Sequence, residues 1–299
     1  MMGWKFGLGC LVAAVLWSSY PTAAQAREGK AQRRITRLLG RQRATVGVAV
    51  LTDDGTRIAH NADMPLPLLS IFKFHVALAV LDRMDREGTG LDGILRVEAS
   101  RLRPGTYSPL RDRFPDRDID LSLGDLLRYS VSQSDNNACD ILIDYAGGIG
   151  RVNDYIARIG AGECALSQTE AAMQRIGNQR LNRSSPAAVA RLMKKTMETP
   201  PFDVRYRDFL WQIMRETVTG ADKLKGRLPP DVIVGHKTGS SDRTPDGTKI
   251  ADNDAGFVVL PDGRTYYIAV FVTESQQSDR TNAALIARIS RIVYDAMTR

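Results

Sequence analysis

Five stretches of the chain carry the pattern of β-strands, two near its start and three near its end. They are rich in β-branched and aromatic residues and are bounded by turn residues, which is typical of strands. These stretches are residues 45–51, 56–60, 232–234, 256–260 and 265–272. Turn residues at 53–55 join the first two, and Pro-Asp-Gly-Arg at 261–264 joins the last two. Each of these pairs is therefore predicted to form a hairpin.

Apolar residues recur at helical spacing through the middle of the chain, where no convincing strand pattern occurs between about residues 70 and 220. The helices predicted there cover residues 70–81, 121–127, 135–145, 151–159, 185–197 and 204–216. Ser185 followed by Pro186 has the residue types that favour a helix start. Two amphipathic helices, residues 27–42 and 281–296, are predicted at the ends of the chain.

This order of elements predicts an α+β fold in two lobes. The first two and last three strands are expected to form one five-stranded antiparallel sheet flanked by the terminal helices. In residue numbers, the α/β lobe takes residues 27–65 and 217–299, and an all-helical lobe takes residues 66–216. The apolar share of 43% is normal for a globular protein with a sizeable core.

Residues 1–26 have the features of a secretory signal peptide. Lys5 lies near the start, an apolar stretch covers residues 6–17, and Ala-Gln-Ala at 24–26 matches a cleavage site. A membrane anchor is the alternative, but the apolar stretch is too short to span a bilayer comfortably. We therefore expect a mature catalytic domain of residues 27–299, without a membrane anchor, that is periplasmic or secreted.

Cysteine, histidine and charge limit the function classes further. Cys139 and Cys164 remain after the predicted cleavage, and in an oxidising compartment they either form a disulfide or stay as two buried thiols. The three histidines are not at metal-ligand spacing, so no metal or other cofactor is expected. The net charge of +7 comes from scattered Arg and Lys, which indicates solvated faces and no nucleic-acid partner. A monomer is expected.

The strongest chemical candidate is Ser-Ile-Phe-Lys at residues 70–73, which opens the apolar helix. Residues three apart lie on one face of a helix, so the amine of Lys73 can reach the hydroxyl of Ser70. A serine needs such a base before it attacks a carbonyl, and N–H groups in a first helical turn can stabilise the oxyanion. Taken alone, the pattern favours an N-capping serine beside a lysine that reaches solvent.

Two further clusters change this interpretation. Ser-Asp-Asn at residues 134–136 lies in a polar connection between two predicted helices, and Lys-Thr-Gly at residues 237–239 ends a predicted buried strand. In acyl transfer, Ser134 can relay a proton to a leaving nitrogen and Asn136 can hold a substrate amide, with Lys237 as a cation beside them. Each cluster alone is a common turn or strand end, but all three in this order are far less expected by chance.

Residues at this strand end complete the predicted site. Thr238 offers a hydroxyl to an anionic carboxylate, and Gly239 allows the backbone to approach a ligand closely. The N–H of Ser240 can complete an oxyanion hole with that of Ser70. The three clusters together predict a serine acyl-transfer site where the two lobes meet.

Ser-x-x-Lys, Ser-Asp-Asn and Lys-Thr-Gly are the signature elements of one family, and with them the sequence resembles a class A serine β-lactamase. The flanking text is Ser-Ile-Phe-Lys-Phe-His, Ser-Asp-Asn-Asn-Ala-Cys-Asp and Gly-His-Lys-Thr-Gly-Ser. It is most similar to the extended-spectrum branch that contains the PER, VEB and CfxA enzymes. The resemblance covers essentially the whole mature chain and implies a helical lobe, a five-stranded antiparallel sheet and a cleft between them.

The resemblance also implies a glutamate that activates the water releasing the acyl-enzyme, and two glutamates compete for this role. Glu163 begins a segment similar to the family's Glu-x-x-Leu-Asn pattern, but Glu170 lies at the family's distance, 36 residues after Ser134. We therefore assign Glu170. The asparagine usual four residues later is Gln174 here, one methylene longer, so the exact position of the water does not carry over.

Two more positions carry over from the resemblance by local match. Tyr107 is similar to the aromatic residue that lines the cleft mouth, or it is a surface tyrosine packed on a proline. Lys223 falls where related enzymes have an arginine that binds the substrate carboxylate, and lysine keeps the charge but loses the bidentate fork. Ser240, Ser241 and Asp242 are expected to tune the substrate range.

The resulting hypothesis is an exported hydrolase of penicillins and cephalosporins, for which the branch implies a broad cephalosporin range. Ser70 attacks the lactam carbonyl, with Lys73 or water held by Glu170 as its base. Ser134 and Lys237 then protonate the lactam nitrogen, and Glu170 activates water for deacylation. The alternatives are a D-Ala-D-Ala carboxypeptidase or transpeptidase, which lacks this glutamate, and a non-enzymatic β-lactam sensor, which stays acylated.

Overall fold

The computed structural model describes Met1 and residues 23–53, 57–160 and 163–298. The helices among these residues are α1 (Ala23–Leu39), α2 (Phe72–Glu87), α3 (Pro109–Arg113), α4 (Leu123–Ser132), α5 (Asn136–Tyr145), α6 (Ile149–Arg158), α7 (Glu170–Met173), α8 (Pro186–Glu198), α9 (Val204–Arg215) and α10 (Asp279–Met297). The strands are β1 (Thr45–Thr52), β2 (Arg57–His60), β3 (Leu66–Pro67), β4 (Ile94–Val97), β5 (Ile119–Ser122), β6 (Cys164–Ala165), β7 (Arg183–Ser184), β8 (Ile233–Ser240), β9 (Lys249–Val259) and β10 (Thr265–Ser275).

β1, β2, β8, β9 and β10 form one five-stranded antiparallel sheet, as predicted, and their order in the sheet is β2-β1-β10-β9-β8. Thr45 of β1 lies opposite Thr273 of β10, so the first and last strands of the chain meet at the centre. β9 begins at Lys249 rather than at residue 256. The early part of β9 contains buried aspartates and an asparagine, and these polar residues hide the strand pattern in the sequence.

Two apolar cores lie on opposite faces of the sheet. Because side chains alternate along a strand, Val48 and Val50 face α1 and α10, whereas Ala49 faces the helical lobe. On the helical side, α8 packs on β1 and β10, and α2 runs through the middle of the lobe. Most of its side chains are buried, including Phe72, Phe74 and Leu78. A helix that is apolar on nearly all of its faces is typical of a buried helix.

The helical lobe contains short strands that the sequence analysis did not predict. β4 pairs with β5, and β7 pairs with both β3 and β6. The expectation of no strands between residues 70 and 220 was therefore wrong, because strands of two to four residues are too short to show a period of two. Ser70 also differs from the prediction: it lies in a 3₁₀ turn, Leu69–Ile71, that leads into α2.

The predicted signal peptide lies mostly outside the described residues, as do residues 54 and 55 of the predicted first hairpin turn and residue 56 of the strand predicted after it. α1 begins at Ala23, before the predicted cleavage site. Among the described residues, no helix combines the length and apolar character needed to cross a bilayer. Cys139 on α5 and Cys164 on β6 are both free thiols, so of the two alternatives for these cysteines the structure has the unpaired one.

Candidate active site

A cleft of about 640 Å³ opens where the two lobes meet, between the start of α2, the α4–α5 connection, α7 and the end of β8. It adjoins a smaller cavity of about 300 Å³. Ser70, Tyr107, Asn136 and Ser240 line both. The structure therefore brings residues from widely separated segments into one concave site, as the three motifs predicted.

Lys73 is the centre of the hydrogen-bond network and is fully buried. Its Nζ lies 2.9 Å from Ser70 Oγ and 2.8 Å from Glu170 Oε1. It also donates to the Ser134 carbonyl at 2.8 Å and to Asn136 Oδ1 at 2.6 Å. The carbonyl, the amide oxygen and the carboxylate only accept, so they can take all three protons of the ammonium form. Lys73 thus links the serine hydroxyl to a carboxylate within direct hydrogen-bond distance.

The backbone around Ser70 is held in an unusual conformation by close packing. The preceding residue, Leu69, has a φ of 47°, which is uncommon for a residue with a side chain. A Cβ atom on Gly239 would lie 2.5 Å from the carbonyl oxygen of Leu68. The glycine thus lets β8 lie directly against the turn that carries Ser70.

Ser134 lies in the connection between α4 and α5 with a φ of 60°. The next residue, Asp135, is fully buried and caps α5 by accepting from the N–H of Ala138 at 2.8 Å. It also accepts from Ser108 Oγ at 2.9 Å and from the N–H of Leu110 at 2.7 Å. Burial raises the pKa of Asp135, and these hydrogen bonds oppose that shift. Asp135 therefore fixes the turn that presents Ser134.

Lys237 approaches Ser134 from β8 and is fully buried. Its Nζ donates to Ser134 Oγ at 2.8 Å and to the Thr238 carbonyl at 3.0 Å, while Lys73 Nζ lies 3.4 Å from the same Ser134 hydroxyl. Burial lowers the pKa of Lys237 well below its usual value, and the nearby charge of Lys73 lowers it further. Ser134 therefore lies between two lysines, in a position to pass a proton.

Glu170 is the first residue of α7 and is 7% exposed. Its Oε1 accepts from Ser70 Oγ at 3.4 Å. The N–H groups of Glu170 and Ala171 donate to the two carboxylate oxygens of Asp140, at 2.7 and 2.9 Å. Glu163 is exposed, and its backbone carbonyl accepts a hydrogen bond from Ser184 Oγ at 2.8 Å. Of the two competing glutamates, the geometry favours Glu170.

Asn182 forms hydrogen bonds with both the segment before Glu170 and the segment before Ser70. It is fully buried, and its Oδ1 accepts from the N–H groups of Ser167 and Gln168, both at 2.9 Å. Its backbone carbonyl accepts from the N–H of Leu68, also at 2.9 Å. The side chain and the backbone of this one residue thus fix the two segments relative to each other.

The predicted substrate-binding residues lie around the cleft. Tyr107 is 55% exposed at its mouth, and its carbonyl accepts from the N–H of Asn136 at 3.0 Å. The side-chain amide of Asn136 donates to Thr106 Oγ1 at 2.7 Å, which orients its oxygen toward the catalytic lysine. Gln174 follows α7 and lines the larger cleft. Ser240 is exposed at the end of β8.

Lys223 lines the smaller cavity with Thr238, Thr219 and Gly220. The hydroxyls of Thr219 and Thr238 lie 2.7 Å apart. The ammonium of Lys223 is 2.5 Å from a carboxylate oxygen of Asp252, and the two side chains are 10% and 3% exposed. The predicted cation is therefore at the cavity, but its charge is already matched by a buried acid.

A second buried pair lies beneath the catalytic strand. His236 Nδ1 is 2.9 Å from both carboxylate oxygens of Asp254, and neither side chain is exposed. Asp254 also accepts from the N–H of Leu224 at 3.0 Å, and Thr217 Oγ1 donates to the His236 carbonyl at 2.6 Å. The charge of Asp254 raises the pKa of Lys237 and so opposes the effect of burial.

Sequence reasoning missed Asp140, Asn182, Asp252 and Asp254 as parts of this site. Asp140 ends the segment Ser-Asp-Asn-Asn-Ala-Cys-Asp at residues 134–140. It lies four residues after Asn136 and therefore on the same helical face. Asp252 and Asp254 flank Asn253, so this part of β9 shows no alternation with apolar residues and gave no signal for a strand or a site. Asn182 carried no signal, because its partners are distant in the chain.

Comparison with known proteins identifies the family. The model of the "Beta-lactamase enzyme family" matches residues 30–297. A β-lactamase of Bacteroides uniformis is 53% identical over 285 residues, which cover 94% of this chain and 96% of that protein. The extended-spectrum β-lactamase PER-1 of Pseudomonas aeruginosa is 36% identical, covering 94% of this chain and 91% of its own.

A solved structure agrees with these relatives. The crystal structure of a class A β-lactamase from Bacteroides cellulosilyticus has a TM-score of 0.89 to this chain at 57% identity, covering 91% of this chain and 98% of that one. The chain therefore belongs to the β-lactamase enzyme family, in class A. The predicted fold class and the resemblance to this family are confirmed.

Proposed function

We propose that this class A β-lactamase hydrolyses β-lactams through a covalent acyl-enzyme on Ser70, which water activated by Glu170 then releases. One observation carries the proposal. Lys73 Nζ lies 2.9 Å from the Ser70 hydroxyl and 2.8 Å from the Glu170 carboxylate, so nucleophile, lysine and carboxylate share one proton network. A serine nucleophile requires such an adjacent base.

In the acylation step, the Ser70 hydroxyl loses its proton as its oxygen attacks the lactam carbonyl. Lys73 is the nearer acceptor, at 2.9 Å against 3.4 Å for the Glu170 oxygen. The neutral form of Lys73 has a lone pair that can take this proton directly, while Glu170 can take it through a water. The N–H groups of Ser70 and Ser240 are proposed to stabilise the oxyanion that forms.

Ring opening then requires a proton on the lactam nitrogen. Ser134 Oγ is the proposed donor, and it recovers its proton from Lys237 or Lys73, which lie 2.8 and 3.4 Å away. Because burial lowers the pKa of Lys237, its ammonium gives up a proton more readily than an exposed lysine does. The proton thus moves along a path in which each donor already contacts its acceptor.

Deacylation is assigned to Glu170 acting as a general base on water. Two backbone N–H donors of α7 are fixed by Asp140, so the carboxylate is held on a rigid turn beside the ester bond that Ser70 would form. Gln174 at the end of α7 is proposed to contact this water or the substrate. A penicillin-binding carboxypeptidase or a β-lactam sensor has no need for a carboxylate held in this way.

Substrate binding is proposed to use both parts of the cleft. Asn136 holds the amide of the acylamino side chain, and Tyr107 lines the mouth. The substrate carboxylate lies beside Thr238 and Lys237, with Lys223 contributing only in part because Asp252 shares its charge. Gly239 acts indirectly, through the packing of β8 against the nucleophile turn.

We further propose a broad cephalosporin range, a periplasmic or secreted location and a monomeric state. The likeness to PER-1, named an extended-spectrum β-lactamase, supports the first. The signal-peptide pattern of residues 1–26 supports export. The catalytic groups described above all come from one chain, which supports a functional monomer.

A turnover assay separates this proposal from its alternatives. The mature protein and its Ser70→Ala variant are mixed with a chromogenic cephalosporin and, separately, with a peptide ending in D-Ala-D-Ala. We expect rapid turnover of the cephalosporin by the unmodified protein, none by the variant and no release of D-alanine. A stable adduct without turnover would instead indicate a sensor, and release of D-alanine would indicate a carboxypeptidase.

A further inference from the structure

A second cavity, of about 320 Å³, lies between α2 and α6, away from the active-site cleft. On α2 it is lined by Ala79, Asp82, Arg83 and Arg86. On α6 it is lined by Arg151, Asp154, Tyr155 and Arg158. Both sets have the spacing i, i+3, i+4, i+7, which marks one face of a helix. Each of the two helices therefore lines the cavity with one face. Most residues on these two faces are charged.

The charges of this cavity do not cancel. Its lining holds four arginines and two aspartates, a net charge of +2 that the Glu87 carboxylate at the rim reduces to +1. Asp82 accepts from Arg86 Nε at 2.8 Å and lies 3.7 Å from Arg158, so one carboxylate serves two guanidinium groups. Arg83 is held at the rim by Glu87, at 2.8 Å. An anion entering the cavity would therefore meet cations that the protein has only partly neutralised.

Arg151 lies at a position in its own helix that is electrostatically unfavourable for a cation. It lies in the first turn of α6, where the positive end of the helix dipole disfavours a cation. Within the described residues it makes no hydrogen bond and no ion pair. Arg158, at the other end of the stripe, is 67% exposed, lies 3.7 Å from Asp82 and stacks over the Tyr155 ring. Both guanidinium groups are available to a ligand.

Tyr155 supplies an independent observation. The residue is 5% exposed, and its hydroxyl has no hydrogen-bond partner among the described residues. Arg158 lies over its ring, 5.3 Å from the centroid; burial and the charge of Asp82 raise the pKa of Tyr155, while Arg158 and Arg86 oppose that shift. A buried hydroxyl without a partner costs free energy unless a ligand or water satisfies it.

We propose that this cavity is a binding site for a phosphate monoester dianion, with Arg151, Arg158 and Tyr155 as its ligands. Planar guanidinium forks match the paired oxygens of a phosphate, and the tyrosine hydroxyl can donate to a third oxygen. These three donor groups can serve three acceptor oxygens, which a phosphate has and a carboxylate lacks. The volume admits a phosphate group with a small substituent, which can be a soluble ester or a lipid headgroup.

The test is a calorimetric titration of the mature protein with inorganic phosphate at pH 8, with acetate as the singly charged comparison. Vesicles of phosphatidylcholine with and without phosphatidic acid supply the lipid form of the same group. The variants are the double substitution Arg151→Ala/Arg158→Ala and, separately, Tyr155→Phe. A matched control, Arg33→Ala/Arg34→Ala, removes two exposed arginines of α1 and leaves the cavity intact.

We expect phosphate to bind more tightly than acetate, with a loss of about tenfold or more in the double variant and a smaller loss in Tyr155→Phe. The α1 control should bind like the unmodified protein, and all variants should keep cephalosporin turnover, which reports the fold. Vesicle binding that the double variant loses would assign a headgroup, and phosphate binding alone would assign a soluble ester. No binding of either, or equal losses in the α1 control, would overturn the proposal.

Discussion

Asp140 accepts hydrogen bonds from the backbone N–H groups of Glu170 and Ala171, at 2.7 and 2.9 Å, so one carboxylate on α5 fixes the turn that presents Glu170, the proposed general base. Asp140→Asn keeps the shape but turns an NH₂ group toward one of these donors. We expect the free energy of unfolding to fall by about 2 kcal/mol. The deacylation rate should fall about tenfold or more, because the base is misplaced, and acylation should fall less.

Pre-steady-state kinetics with a cephalosporin measure the two steps of the Asp140 variant separately. Asp144→Asn is the matched control, since this acid lies one turn further along α5 and makes an exposed ion pair with Arg101. We expect it to behave like the unmodified protein. Equal losses of acylation and deacylation in Asp140→Asn would show that this carboxylate has no specific effect on Glu170.

The buried Asp254 should contribute to the pH range of activity. Burial and the charge of Lys73 lower the pKa of Lys237, whereas the negative charges of Glu170 and Asp254 raise it. Asp254→Asn removes that charge, so the pKa of Lys237 falls further and the ammonium form is lost at lower pH. Because the ammonium is the form that donates a proton, the alkaline limb of kcat/KM should move to lower pH.

A pH profile of kcat/KM tests this, with His236→Gln as the control. The control keeps the charge of Asp254 but alters the same buried pair, so its alkaline limb should not move to lower pH. Both variants should lose about 3 kcal/mol or more of stability, because each breaks a buried pair. An unchanged limb in Asp254→Asn would contradict the role given to its charge.

The ion pair between Lys223 and Asp252 should weaken the affinity for an anionic substrate. Asp252→Asn leaves the lysine charge unmatched at the smaller cavity, where the substrate carboxylate is proposed to bind. KM for an anionic cephalosporin should fall about fivefold, equivalent to about 1 kcal/mol, while stability falls by about 3 kcal/mol. Adding Lys223→Ala should abolish this decrease in KM. A rise in KM for the single variant would mean that the carboxylate binds elsewhere.

Gly239 should be required for the position of the nucleophile. A Cβ at this residue would lie 2.5 Å from the Leu68 carbonyl oxygen, so Gly239→Ala must push β8 away from the turn that carries Ser70. We expect stability to fall by about 1–3 kcal/mol and kcat/KM to fall about a hundredfold. At Gly177 a Cβ would meet nothing within 4 Å, so Gly177→Ala is the control. Full activity of Gly239→Ala would exclude this tight contact.

The elements that the sequence predicted well are those with a local signal. Helices such as α8, with Ser185 and Pro186 at its start, and strands such as β10 show their period within one stretch. The same holds for Ser70 and Lys73, whose distance in space follows from their distance in the chain. The fold class and the contact between Ser70 and Lys73 were therefore predictable.

The remaining features depend on contacts between distant residues. The first half of β9 is buried although it carries Asp252 and Asp254, because each acid has a buried partner, Lys223 or His236, on a neighbouring segment. Period alone cannot predict a buried strand of this composition. The matching of Asp140 to α7 likewise appears only when the chain is folded.

The most direct test of the account is intact mass spectrometry after a cephalosporin is added to Glu170→Gln and, as its matched control, to Glu163→Gln. Both substitutions remove one carboxylate and keep the side-chain shape. The account predicts that Glu170→Gln accumulates a covalent adduct that Ser70→Ala abolishes in the double variant, while Glu163→Gln returns to its unmodified mass with full turnover. Full turnover by Glu170→Gln, or a lasting adduct on Glu163→Gln, would contradict the assignment of Glu170 as the base for deacylation.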